Sequence, residues 1–212
     1  MLNVEELLIQ LGEERPVFHS EADFQHALAW QLHLRYPNAE LRLEKVFASS
    51  SRRLHIDVCC VIDEQTYIFE LKYKTCSASL SVASEEFNLQ NHSAQPPSRY
   101  DFVKDIARLE AAIGGSARPM SGFAIFLTND RSYWSKPRRT GGVSDAFSIH
   151  EGQRLWGELI WGPGASAGTK KNREEPIALA AEYRMNWRDY SKPDAQALSR
   201  FRYLCVPVIR QP

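Results

Sequence analysis

Asp57 and the triplet Glu70-Leu71-Lys72 are the residues whose types and spacing point to chemistry. Each lies in a segment with the alternating pattern of a strand, LHIDVCCVID over 54–63 and TYIFELKYK over 66–74. Alternate side chains of a strand share a face. His55, Asp57, Cys59 and Val61 therefore lie on one side of the first strand, and Ile68, Glu70, Lys72 and Lys74 on one side of the second. With Glu64 and Gln65 as a two-residue hairpin loop, Asp63 opposes Thr66, Asp57 opposes Lys72, and Glu70 lies one diagonal step away. Two carboxylates and an ammonium then converge. Neighbouring carboxylates repel one another and are most naturally kept ionised by a hard divalent cation, Mg²⁺ with Mn²⁺ as its substitute. A lysine beside such an ion can polarise or deprotonate a water and stabilise the charge that builds on a phosphate. The implied reaction is phosphodiester hydrolysis.

A third acid has to come from the element before this hairpin. Ser20, with Asp23 three residues on, reads as a capping box that opens a helix running to about Arg35, where Tyr36-Pro37-Asn38 ends it. Glu21, Gln25, Leu28 and Leu32 form one stripe of that helix. A carboxylate on a stripe buried against a sheet needs a partner, which makes Glu21 the candidate third acidic ligand, with Gln25 beside it. Lys74, further along the strand face, reads as a solvent or phosphate contact.

Around these elements the pattern predicts a short amphipathic helix over 3–12, strands over 41–47 and 122–128, and a helix over 99–113 closed by Gly114-Gly115. Extended segments near 177–187 and 201–209 flank a short helix at 193–199. The polar stretch from Ser77 to Ser98 reads as a long excursion, and 131–142 and 162–175 as basic, turn-rich loops. Helix, strands, helix, strand gives an α/β class, a central mixed sheet flanked by helices. In the helix over 99–113, Asp101, Lys104, Asp105 and Arg108 read as a salt-bridged solvated face. A nucleic-acid face there would use Arg99, Lys104 and Arg108. Arg138 and Arg139, in a loop that also carries Tyr133 and Trp134, suit phosphate contact and base stacking. The tryptophans at 156, 161 and 187 read as core.

The 212 residues carry 26 Lys+Arg and 26 Asp+Glu, with 43% hydrophobic residues, which excludes disorder, collagen and coiled coil. Zero net charge argues against coating nucleic acid by bulk electrostatics and leaves room for a local basic groove. A single domain over 1–212 is expected, with a core at about 18–128 and the basic loops and strands of 129–212 as elaboration. Cys59, Cys60, Cys76 and Cys205 lack zinc spacing and read as reduced, mostly buried thiols. No membrane span or secretory leader is evident, so a cytoplasmic location is expected.

Asp57, the Glu70-Leu71-Lys72 triplet 13 positions later on a hairpin, and Glu21 on the preceding helix resemble the PD-(D/E)XK nuclease superfamily, with Ile56 where the superfamily name has proline. The resemblance covers roughly 18–128. It implies a restriction-endonuclease-like fold, Mg²⁺-dependent cleavage of DNA in preference to RNA, Asp57 and Glu70 as metal ligands, and Lys72 as the catalytic lysine. Gln95 and Tyr100 compare loosely with a glutamine and a tyrosine that some members carry after the lysine strand. Two other readings stand beside it: a catalytically silent protein of the same fold, binding or scaffolding within a nucleic-acid-processing or defence assembly, and a metal-dependent hydrolase of small nucleotides. Cutting both strands in register would require a homodimer or larger assembly.

Overall fold

The structure, a computed structural model, describes residues 2–48, 53–195 and 197–210. Two helices, α1 (Val4–Glu14) and α2 (Glu21–Arg35), come first, and the Ser20 hydroxyl caps α2 by accepting the Asp23 N–H. Then follow β1 (Glu40–Ala48), β2 (Arg53–Ile62), β3 (Gln65–Lys74), β4 (Ala78–Val82), β5 (Glu85–Leu89), α3 (Gln95–Gly114) and β6 (Met120–Thr128). The remainder holds β7 (Arg154–Leu159), the one-turn α4 (Ala167–Lys170), β8 (Ile177–Arg184), β9 (Trp187–Ser191) and β10 (Phe201–Ile209).

The architecture is α/β, with a six-stranded mixed sheet in the order β1-β2-β3-β6-β10-β9, flanked by helices. Strands β3 and β6 are parallel because α3 carries the chain back between them; the other neighbours in this sheet are antiparallel. One face packs on α1 and α2, where Leu7, Phe24, Leu28 and Leu32 meet Phe69, Leu71 and Tyr73. The other packs on α3, where Phe102, Ile106 and Leu109 meet Ile68, Ala124 and Phe126. Residues of the β7–β8 hairpin, Leu155, Ile177 and Leu179 among them, join that second cluster. No helix among the described residues is long and apolar enough to cross a membrane. Cys59 and Cys60 are buried, and Cys76 and Cys205 half-buried.

The hairpin register differs from the expected one. Asp63 and Glu64, both left-handed at φ 47° and 69°, form the two-residue turn, and Ile62 pairs with Gln65. A shift of two residues keeps every face but moves Asp57 from opposite Lys72 to opposite Glu70, one step beyond the last recorded pair, Val58↔Phe69. The alternation within β2 also changes face at Asp57. Leu54 and Ile56 join the core under α3, whereas Val58 and Cys60 join the core under α1 and α2. Glu44, beside this point on β1, has φ 51°.

Other expectations are corrected too. The excursion after Ser77 contains the β4–β5 hairpin, which buries Leu80, Phe87 and Leu89. Helix α3 starts at Gln95 because Pro96 and Pro97 occupy its first turn, where a missing N–H costs nothing. Within the expected 193–199 helix, Ala197–Ser199 makes a 3-10 turn, and Gln196 lies outside the described residues. Trp187 is core and Trp161 partly buried, but Trp156 is 61% exposed, facing outward from β7.

Candidate active site

The site lies where β2 leaves β3. In a paired strand, alternate N–H groups point to each neighbour, and beyond Phe69 the β2-side positions are Leu71, Tyr73 and Thr75. Side chains take the place of the departed backbone. Leu71 N–H donates to Asp57 Oδ2 at 2.6 Å, Tyr73 N–H to Glu21 Oε2 at 2.8 Å, and Thr75 N–H to His92 Nδ1 at 3.0 Å. Gln25 ties α2 to the same break, its amide donating to the Asp57 carbonyl at 2.7 Å and to Glu44 Oε1 at 2.8 Å.

On the α3 face of β3, Glu70 is buried and Lys72 mostly so. The partners come from α3. Lys72 Nζ lies 2.7 Å from Asp105 Oδ2 and donates to the Leu71 carbonyl at 3.2 Å. Arg108 donates to Asp105 Oδ1 at 2.9 Å, approaches Glu70 Oε2 at 3.5 Å, and donates to the His55 carbonyl. Its Nη2 is 3.1 Å from Glu70 Oε1 but out of alignment, so that buried oxygen has an ionic neighbour and no hydrogen bond. Asp105 is 4% exposed, which corrects the reading of its helix face as solvated.

Burial sets the electrostatics. It pushes the Asp57 carboxyl up to about 6, against the opposing pull of the Leu71 N–H and the Lys72 ammonium. Glu70 is raised well above the carboxylate range, first by burial and then by the nearby Asp105 charge, with Arg108 opposing. Burial raises Asp105 as well, against Lys72 and Arg108. For Lys72 burial acts downward, but the Asp105, Glu21 and Asp57 charges outweigh it and hold the ammonium above its usual value.

Asp57, Glu70 and Lys72 are thus mutual electrostatic neighbours. Glu21 acts on the Lys72 charge but is itself bonded elsewhere. Its Oε2 accepts from Tyr73 N–H and from Lys74 Nζ at 3.1 Å, so Lys74 is an ion-pair partner of Glu21. Among the described residues no three Asp, Glu, His or Cys side chains form a ready cage for a metal ion. Asp57 and Glu70 alone still fit a hard cation. Mg²⁺ commonly takes one or two carboxylates and completes its shell with water and phosphate oxygens, and Glu70 Oε1 is a buried carboxylate oxygen with no hydrogen bond.

The remaining candidates separate. Arg108 enters the site. Lys104 lines, with Arg108, Leu54 and Asn172, a groove of about 340 Å³. Arg99 donates to the Ser132 carbonyl at 2.7 Å, and its guanidinium lies over the Tyr133 ring. Arg138 and Arg139 are exposed. Tyr133 is core, and Trp134 packs against Trp187, which corrects their reading as stacking platforms. The sequence reading missed Asp105 and Glu44. Asp105 had a signal, since it falls on the apolar stripe of Phe102, Ile106 and Leu109 rather than opposite it. No family model matches the chain, and neither the curated proteins nor the solved structures contain a match to it.

Proposed function

We propose that the protein is a divalent-metal-dependent nuclease with a restriction-endonuclease-like core, hydrolysing phosphodiester bonds in nucleic acid, DNA in preference to RNA. The observation that carries this reading is the break in the β2–β3 ladder, at which Asp57, Glu70 and Lys72 come together around a buried, unbonded carboxylate oxygen. Asp57 and Glu70 would hold Mg²⁺, or Mn²⁺ in its place. When bound, such an ion supplies Lewis-acid polarisation of phosphoryl oxygens and a more acidic water. Lys72, kept protonated by its carboxylate neighbours, acts as a cation: it orients the attacking water by donating to it and offsets charge developing on the phosphate. Removing the water's proton is not its part at neutral pH, because a base must be deprotonated beforehand. Arg108 places a second cation beside Glu70, at the mouth of the groove it shares with Lys104. Glu21 closes the β3 edge and holds Lys74.

One observation favours the silent binding or scaffold reading. The charges already satisfy one another, Glu70 with Arg108 and Lys72 with Asp105, without any ion. A cleavage assay separates the two. Single-stranded DNA, duplex DNA and RNA oligonucleotides are incubated with Mg²⁺ or Mn²⁺, beside wild type, Asp57→Ala and Lys72→Ala. The nuclease reading expects metal-dependent products from wild type and a loss of about 100-fold or more in both variants. A folded wild type that leaves every polymer intact, or a variant that keeps full activity, would sink it. A mononucleotide substrate run alongside separates a nuclease from a small-nucleotide hydrolase.

A further inference from the structure

An ammonium has three N–H donors and no geometry of its own about the final C–N bond. At Lys72 one of those donors goes to the Leu71 carbonyl at 3.2 Å, and the charge is ion-paired with Asp105 Oδ2 at 2.7 Å, so the ammonium is held from two sides. Asp105 fixes the second cation through its other oxygen, Oδ1, which accepts from Arg108 Nη1 at 2.9 Å. Both cations of the site thus hang from one carboxylate. It is rooted in the middle of α3, whose neighbours Phe102, Ile106 and Leu109 are fully buried against the sheet. A buried acid is a poor way to hold a helix on a sheet, because a well-packed apolar residue there is as stabilising or more so. What an acid provides and an apolar residue does not is direction for the charges it holds.

We infer that Asp105 is a positioning residue for the reaction, a buried carboxylate that aims the Lys72 ammonium at the water and the scissile phosphate and keeps the Arg108 guanidinium beside Glu70. This role rests on the nuclease reading and deepens it. It assigns Asp105 no contact with substrate: its effect passes through Lys72 and Arg108.

The test compares wild type with Asp105→Asn, which keeps the shape and one acceptor oxygen but removes the charge. Steady-state cleavage of an oligonucleotide is measured below the melting temperature of both proteins, and the Lys72 ammonium is followed by ¹H–¹⁵N NMR of lysine side chains. The expected result is a fall in kcat of about 100-fold with KM little changed, together with loss of the slowly exchanging Lys72 ammonium signal that wild type shows. A role confined to stability would lower the melting temperature while kcat per folded molecule and the ammonium signal stayed as in wild type; that result would overturn the inference. If Asp105→Asn does not fold, Asp105→Glu carries the same test, since one added methylene displaces the carboxylate without removing its charge. A fall of about tenfold or more is then expected, and wild-type turnover overturns the inference. A wild type that cleaves no polymer overturns the nuclease reading and this role with it, whereas an active wild type matched by a folded Asp105→Asn overturns the positioning role alone.

Discussion

Asp57 shows what the site costs the fold. Its carboxyl is pushed up to about 6, from an ordinary value of 3.8, mainly by burial, so the ionised form is disfavoured in the folded protein. A carboxyl whose folded pKa is raised contributes stability that is fully present below its unfolded value and is lost as pH rises through the folded one. Above pH 6 metal-free wild type therefore carries a charge it would be more stable without. Asp57→Asn keeps an oxygen to accept the Leu71 N–H and removes that charge. The variant should melt a few degrees above metal-free wild type at pH 8, a gain of roughly 1–3 kcal/mol. The gain should shrink as pH falls through 6 and vanish near 4. Mg²⁺ should raise the melting temperature of wild type and leave the variant where it is, which links binding to loss of the carboxyl proton. Thermal melts of both proteins at pH 4, 6 and 8, with and without Mg²⁺, check this; equal melting temperatures at pH 8 would show that Asp57 is not strained by its burial.

At the level of elements, the candidate site is a defect in a sheet. Beyond Phe69, β3 keeps β6 on one side, and on the other its N–H groups and that of Thr75 go to the side chains of Asp57, Glu21 and His92. Both strands, the helix with its Ser20 cap, and the convergence of Asp57, Glu70 and Lys72 were legible in the sequence, because period-two patterning and capping chemistry are local. The register was not legible. It turns on which residues accept positive φ, and Asp63-Glu64 lacks the glycine that would mark a type I′ turn. The β4–β5 turn, Ala83-Ser84 at φ 48° and 69°, hid its hairpin for the same reason, although Leu80, Phe87 and Leu89 alternate with polar residues. The Asp105–Arg108 ion pair was legible from its i,i+3 spacing, but its burial was not, because such a pair suits a face toward water as well as one that packs on a charged strand position. The turn is directly testable. Replacing Asp63-Glu64 with Asn-Gly should stabilise the protein by roughly 0.5–1 kcal/mol, since both residues then adopt left-handed φ without strain. Denaturant unfolding reads the difference. Destabilisation would mean that the hairpin does not turn there and that Asp57 does not stand opposite Glu70.

Over the whole molecule, the parallel pairing of β3 with β6 decides what surrounds the site. Lys74 pairs with Thr128, so the chain leaves β6 at the end of the sheet toward which β3 runs, past Glu70 at the middle of the ladder and Lys72 two residues further. Ligands of open α/β sheets gather at such carboxyl ends, because the connecting loops there can meet a ligand. Here the chain that follows β6 carries Arg131, Lys136, Arg138 and Arg139, all exposed. The chain as a whole has no net charge, so attraction for a polyanion has to come from local clusters of this kind. Each phosphate that such a cation neutralises releases counterions and steepens the salt dependence of binding by about 0.9 in log–log slope for duplex DNA. Arg138→Ala combined with Arg139→Ala should therefore weaken duplex binding at low salt and reduce that slope by roughly 1.8, with the two proteins converging as salt is raised. Fluorescence anisotropy across a salt series measures both quantities. A slope equal to that of wild type would take the loop out of the nucleic-acid path and leave Lys104 and Arg108, along the α3 groove, as the cations that meet the backbone.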